Sequence, residues 1–231
     1  MSTGREEKQE PSTAHRMMRD QHCRRCGEKQ GVPEAFPRIV RYVRAWSAGL
    51  SAGLLLATAC HAQEMAVPLE QQIPLLLKTI SFDRNLRSRS GERIVLGILY
   101  QQRVRSSLEV KDKILEMLEN EATQTIDGMP IQCVAIDLGS TDDLSSTIRN
   151  KHINLLYVAP VRAHDMATFA STARLLQIPT LTGVPEYVED GLAVGIGARG
   201  EKPCIVINLN AARSEGADFD SHLLNLAKVI E

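Results

Sequence analysis

The residues that could do chemistry in this chain are few and scattered. His152, His164 and His222 have no second histidine or carboxylate at metal-ligand spacing, and each reads as a surface or capping residue. Cys23-Arg24-Arg25-Cys26, with His22 beside it, is half a zinc site, and no second pair follows at finger-like spacing. Gly195-Ile196-Gly197-Ala198-Arg199-Gly200 satisfies G-x-G-x-x-G. That motif binds a pyrophosphate only when a helix starts at its end and turns its N-terminus on the phosphates. Here Glu201-Lys202-Pro203 and another apolar run follow, so the segment reads as a glycine-rich hairpin. There is no G-x-S-x-G, no Walker loop and no H-E-x-x-H, and no nucleophile stands beside a base. The expectation is a protein without catalytic residues, metal or cofactor.

Two further groups of residues carry expectations. In open α/β sheets, ligands sit beyond the carboxyl ends of the parallel strands. The residues expected there are Gln101, Ser106, Ser107, Ser140, Thr141 and Thr182. Their hydroxyls and helix N-termini would suit a small anionic ligand. Cys133 and Cys204 are the cysteines left after export, and they are candidates for a disulfide in an oxidising compartment. Each also falls in an apolar run, where a free cysteine behaves as a small hydrophobe.

The elements that must position these groups alternate. Pro68 to Ile80 has helical spacing, with Leu69, Ile73, Leu76, Leu77 and Ile80 on one stripe. A polar loop from Asp83 to Glu92 follows. Arg93 to Tyr100 is a nearly unbroken apolar run, the pattern of a strand buried on both faces. Ser107 is expected to cap a helix reaching about Ala122. Ile131 to Leu138 is a strand, and Ser140-Thr141-Asp142-Asp143 opens a helix to about Asn150. Ile153 to Val158 is a strand, His164 to Leu176 a helix, Thr180 to Thr182 a short strand, and Glu186 to Glu189 a brief helix. Leu192 to Ile196 and Cys204 to Leu209 are strands joined by a hairpin-like connection. Asp218 to Ile230 is expected to close the domain as a helix. The fold expected is therefore α/β: a single domain of three layers, with a mostly parallel sheet, helices on both faces and a C-terminal β-hairpin plus helix.

Charge divides the chain. A formal net charge of −1 and an aromatic content of 4% remove the bulk electrostatic and stacking arguments for nucleic acid. The segment before Gln63 is basic, and the remainder is mildly acidic. Residues 1–37 lack periodicity and are expected to be disordered or an over-extended gene start. Residues 38–62 have the design of a secretory signal peptide. Arg38, Arg41 and Arg44 precede an uncharged stretch from Ala45 to Ala59, and Ala59 and Ala62 both suit cleavage. The mature domain is then 63–231, located in the periplasm, with a lipoprotein at Cys60 or an uncleaved anchor as lesser alternatives.

Leu75-Leu76-Leu77-Lys78-Thr79-Ile80 leads into Ile94-Val95-Leu96-Gly97-Ile98-Leu99. The chain ends with Ile205-Val206-Ile207-Asn208-Leu209-Asn210-Ala211-Ala212-Arg213 and then Leu223-Leu224-Asn225-Leu226-Ala227. Over roughly residues 68–231 this resembles the YfiR family of periplasmic proteins. The resemblance implies a non-enzymatic regulator that binds the periplasmic sensor part of an inner-membrane diguanylate cyclase or histidine kinase, affecting cyclic di-GMP signalling and biofilm formation. Ser81-Phe82-Asp83-Arg84-Asn85 replaces the family's aromatic-Pro segment, and the disulfide pairs of its redox-sensitive repressors have no clear counterpart. A homodimer and a small ligand are further candidate partners. The competing reading is a periplasmic small-ligand-binding protein of the solute-binding type.

Overall fold

The computed structural model describes residues 65–119, 125–162 and 166–231, all within one compact unit, Thr58–Glu231. The expected signal peptide, the Cys23–Cys26 pair and His164 lie outside the described residues. The first helix, α1 (Leu69–Ile80), starts after the extended Pro68 and buries Leu69, Ile73, Leu76 and Ile80 along one stripe. A short helix, α2 (Leu86–Ser90), interrupts the segment expected to be a loop. β1 (Ile94–Tyr100) follows, buried on both faces as its unbroken apolar run requires. α3 (Arg105–Glu119) then leads to β2 (Thr125–Ile126) and β3 (Met129–Asp137). These two strands form a hairpin over Asp127-Gly128, whose φ values of 52° and 78° are those of a tight primed turn.

The chain continues through α4 (Leu144–Asn150), β4 (Leu155–Val158), α5 (Met166–Leu176), β5 (Thr180–Thr182) and α6 (Glu186–Glu189). β6 (Val194–Arg199) and β7 (Lys202–Asn208) pair antiparallel around Gly200, which has φ +62°. The literal G-x-G-x-x-G is thus part of a hairpin. Gly195 and Gly197 lie inside β6, and no helix begins at the third glycine. α7 (Leu209–Ser214) is capped by Asn208, whose side chain accepts from the Ala211 N–H at 2.9 Å.

The C-terminus departs from expectation. The helix α8 covers only Ser221–Leu226, and Lys228–Ile230 form an eighth strand, β8, parallel to β7. Within α8, Leu223 is buried, whereas Leu226 is 75% exposed. Ala227 is already extended, and the β-branched Val229 and Ile230 then cover the outer edge of β7, which a helix could not pair. Expected and observed bounds otherwise differ by a few residues, except that β2 and α2 were not foreseen.

The eight strands run β2-β3-β1-β4-β5-β6-β7-β8. β3, β1, β4, β5 and β6 are parallel to one another. One face carries a core of α1, α3 and C-terminal residues against Ile94, Leu96 and Ile98. The other packs Ile148 of α4, Met166 and Phe169 of α5 and Tyr187 of α6 against Val95 and Leu99. Alternate residues of β1 therefore serve opposite layers, and the domain is a three-layer α/β fold with helices on both faces.

The sheet order also rules out the disulfide between Cys133 and Cys204. Both are free. They lie on β3 and β7, with β1, β4, β5 and β6 between them. At about 4.8 Å per strand the two are roughly 24 Å apart, and a bridge needs Cα atoms within about 7 Å. Burial and the nearby charge of Glu119 push the Cys133 thiol up to about 11, so it behaves as a small core hydrophobe.

Candidate functional site

The parallel strands reverse direction of growth between β1 and β4. After β1 the chain passes to α3 on one face, and after β4 to α5 on the other. The crevice at such a switch point is where ligands enter this class of sheet. Five of the six residues expected at the strand ends have their polar groups engaged within the protein.

The Gln101 amide crosses the switch point. Its Nε2 donates to Arg162 O at 3.0 Å, and the Arg162 N–H donates to its Oε1 at 2.6 Å. This two-bond clasp imitates a strand pair between the loops after β1 and β4. Ser107 is not the cap of α3. The helix begins at Arg105, and the Ser107 hydroxyl is buried in its first turn, where it accepts from the Gln101 N–H at 3.0 Å. Ser106 is exposed.

Ser140 and Thr141 do not open α4 either. Their hydroxyls both donate back to Asp137 O, at 3.2 and 2.8 Å, and Asp143 is the cap, accepting from the Ser146 N–H at 3.2 Å. Thr182 is buried. Its hydroxyl donates to Val158 O at 3.0 Å and accepts from the Val184 N–H at 3.1 Å. The six residues are therefore brought to one end of the sheet, but five of them are bonded separately within the protein rather than forming a converging set. The physical reason is that short polar side chains beside strand ends find backbone groups first.

Three residues not singled out from the sequence complete this end. Asp137, the last residue of β3, accepts from the Gln102 and Gly139 N–H groups at 3.1 Å each, and these bonds hold its carboxyl below its usual value. An acidic residue at the end of an apolar run, ahead of Leu138-Gly139, was the available signal. Tyr187 of α6 reaches the loop after β4 from the other side. Its hydroxyl accepts from the Val161 N–H at 3.0 Å and donates to Val161 O at 3.1 Å. Burial raises its pKa. Gln72 of α1 is fully buried beside Gly183. Its Nε2 donates to Val67 O, and its Oε1 has no hydrogen-bond partner.

Two results are expected from these contacts. A Cβ on Gly183 would run into Gln72 Oε1 and lie 2.8 Å from Met65 Sδ. Gly183→Ala should therefore lower stability by about 1–3 kcal/mol, read by urea denaturation. An unchanged midpoint would mean that α1 gives way freely at this point. Gln101→Ala removes the clasp at the switch point, with a loss of about 1–2 kcal/mol and faster hydrogen exchange at Arg162. Unaltered exchange there would show that Tyr187 alone holds the loop.

Among the described residues no group of histidine, cysteine, aspartate and glutamate could hold a metal ion. None of their helices is long and apolar enough to cross a membrane.

By sheet order and layering this is an α/β protein with a mostly parallel sheet. The chain belongs to the YfiR/HmsC-like family, whose sequence pattern matches residues 76–228.

Several solved structures are similar to it at a distance. The ABC domain in complex with L-Trp from Streptococcus pneumonia is 16% identical, with 67% of this chain and 61% of that one covered and a TM-score of 0.46. The ligand-free, open form of a substrate-binding protein with adhesive properties from Clostridium difficile is 15% identical, covering 64% and 57%, with a TM-score of 0.44. A conserved domain protein from Vibrio cholerae is 16% identical, covering 71% and 60%, with a TM-score of 0.49. This chain thus spans about three fifths of each of those chains. No curated protein matches it.

Proposed function

We propose that the chain is an exported, non-enzymatic regulator that binds the periplasmic sensor part of an inner-membrane signalling protein, a diguanylate cyclase or a histidine kinase. Through that contact it affects cyclic di-GMP signalling. The observation that carries this reading is membership of the YfiR/HmsC-like family over residues 76–228. Export is supported by the basic residues Arg38, Arg41 and Arg44 ahead of the uncharged stretch 45–59, with cleavage after Ala59 or Ala62 leaving the α/β domain as the mature protein.

The arrangement at the strand ends agrees with a protein-binding role. A regulator of this kind presents a shaped surface and needs no reactive group. The hydroxyls of Ser107, Ser140, Thr141 and Thr182 and the Gln101 amide, which motivated a small-ligand site, are bonded to the chain's own backbone. A ligand would have to displace those bonds before making its own, which lowers its net gain.

The test is a chromosomal deletion, complemented with the full chain. Cyclic di-GMP and the output of the candidate kinase should change on deletion and return on complementation. Both remaining at the parental level would overturn the proposal.

A further inference from the structure

The short strap ahead of α1, Met65-Ala66-Val67, crosses the carboxyl ends of β4 and β5. Met65 is half-buried and packs against the hydrophobic cores on both faces of the sheet. The Tyr157 hydroxyl of β4 donates to its Sδ at 4.0 Å. A Cβ built on Gly183, just after β5, would lie 2.8 Å from the same sulfur and against Gln72 Oε1. Gln72 Nε2 donates to Val67 O, and its Oε1 has no hydrogen-bond partner. A thioether, a buried hydroxyl and an amide oxygen without a donor therefore meet around one glycine.

The hydroxyl is poorly matched. Tyr157 is 1% exposed, and burial raises its pKa, so it keeps its proton and remains a donor. Buried tyrosine hydroxyls generally find a good acceptor, and a thioether sulfur is a weak one. Among the described residues the Tyr157 O–H makes no other bond. The other methionines of the domain differ. Met129 and Met166 are 2% and 7% exposed and thus shielded from a dissolved oxidant. Met117 is half-buried like Met65, but no hydroxyl donates to its sulfur among the described residues.

We propose that Met65 is an oxidant-responsive modification site, whose sulfoxide accepts the Tyr157 hydroxyl and fastens the strap to the sheet. The reagent is a peroxide. The sulfur lone pair takes one peroxide oxygen and the O–O bond breaks. Sulfur is oxidised by two electrons, and with hydrogen peroxide the second oxygen leaves as water with both protons. The new oxygen stands one bond nearer the Tyr157 hydroxyl than the sulfur does, which brings it from 4.0 Å into hydrogen-bond reach. Gln72 Oε1 is itself an acceptor and turns the oxygen away from its side. Tyr157 so exchanges a weak sulfur acceptor for a strong oxygen one.

The test treats the exported chain carrying Met117→Leu, a volume-conserving change, with hydrogen peroxide. Peptide mass spectrometry should find one added oxygen on Met65 and none on Met129 or Met166. The Gln71 and Gln72 N–H groups donate to Pro68 O and report the seating of the strap. Their hydrogen exchange, read by NMR, should slow about fivefold, the effect of one added hydrogen bond. Met65→Leu should remove the response. Met65→Gln, which carries an amide oxygen close to the place of the sulfoxide oxygen, should show the slow exchange without peroxide, and Tyr157→Phe in the same chain should abolish it. Unchanged or faster exchange in the oxidised protein, the common result of a sulfoxide in a packed site, would overturn the proposal. So would equal slowing in Tyr157→Phe, or a Met65 left reduced by peroxide that oxidises it in the urea-unfolded chain.

Discussion

Replacing Asp83 by alanine is expected to lower the unfolding free energy by about 3–5 kcal/mol, the range for breaking a buried charge pair from one side. The Asp83 side chain is completely buried. Its Oδ1 accepts from the Asn85 N–H at 3.0 Å and from the Asp218 N–H at 2.8 Å. Its Oδ2 receives Arg89 Nη2 at 2.7 Å. One carboxylate thus ties the turn after α1, the helix α2 and the segment leading to α8. It also sits in an isolated β-bridge with Phe219. Alanine would leave two backbone donors and a guanidinium without their acceptor, and the Arg89 Nε is already buried and unpartnered. Asp83→Asn keeps an acceptor for the N–H groups but turns an amide toward Arg89, so it should fall between alanine and wild type. Urea unfolding with an unchanged m-value would read this directly. A loss below about 1 kcal/mol would mean that water replaces the carboxylate.

The second large effect is a dependence on pH through Glu215. Glu215 is fully buried just after α7, against Thr180 at the amino-terminal end of β5. The Thr180 N–H donates to its Oε2 at 2.7 Å, and the Thr180 hydroxyl donates to the same oxygen at 2.9 Å while accepting from the Ala193 N–H at 2.8 Å. Burial raises the carboxyl from 4.5 to about 8, against the opposing pull of the Thr180 bonds and the Arg174 charge.

The folded pKa therefore lies above the unfolded one, and the folded protein keeps a proton that the unfolded chain gives up. Stability from this group is full below about pH 4.5. It declines as pH rises and is lost once pH passes about 8, by several kcal/mol at most. Glu215→Gln holds a neutral group at every pH. It should flatten the melting temperature between about pH 5 and 8 and raise it at the upper end. Identical pH profiles for wild type and Glu215→Gln would show that water reaches the carboxylate.

Much of the architecture was legible because periodicity reports burial. The unbroken run at 94–100 signalled a central parallel strand, and the spacing at 69–80 signalled a helix with one buried stripe. What escaped depends on contacts distant in sequence. Asp83 stands in a polar, arginine-rich stretch that reads as a surface loop, and only Asp218, far along the chain, makes it a buried centre. Val229 and Ile230 fit a helical stripe as well as a strand, and the open edge of β7 decides between them.

The β2–β3 hairpin was not foreseen, although Asp127-Gly128 is a residue pair that favours its tight primed turn. The strand-end residues are placed where the topology rule puts them. Their hydroxyls and the Gln101 amide choose backbone partners whose positions emerge only on folding.

The proposed binding of a membrane sensor is tested most directly in intact cells. The tagged, exported protein would be crosslinked in place and its partners read by mass spectrometry. Enrichment of an inner-membrane diguanylate cyclase or sensor kinase, through its periplasmic part, is the expected result. Enrichment of a transport permease, or of no membrane protein, would contradict it.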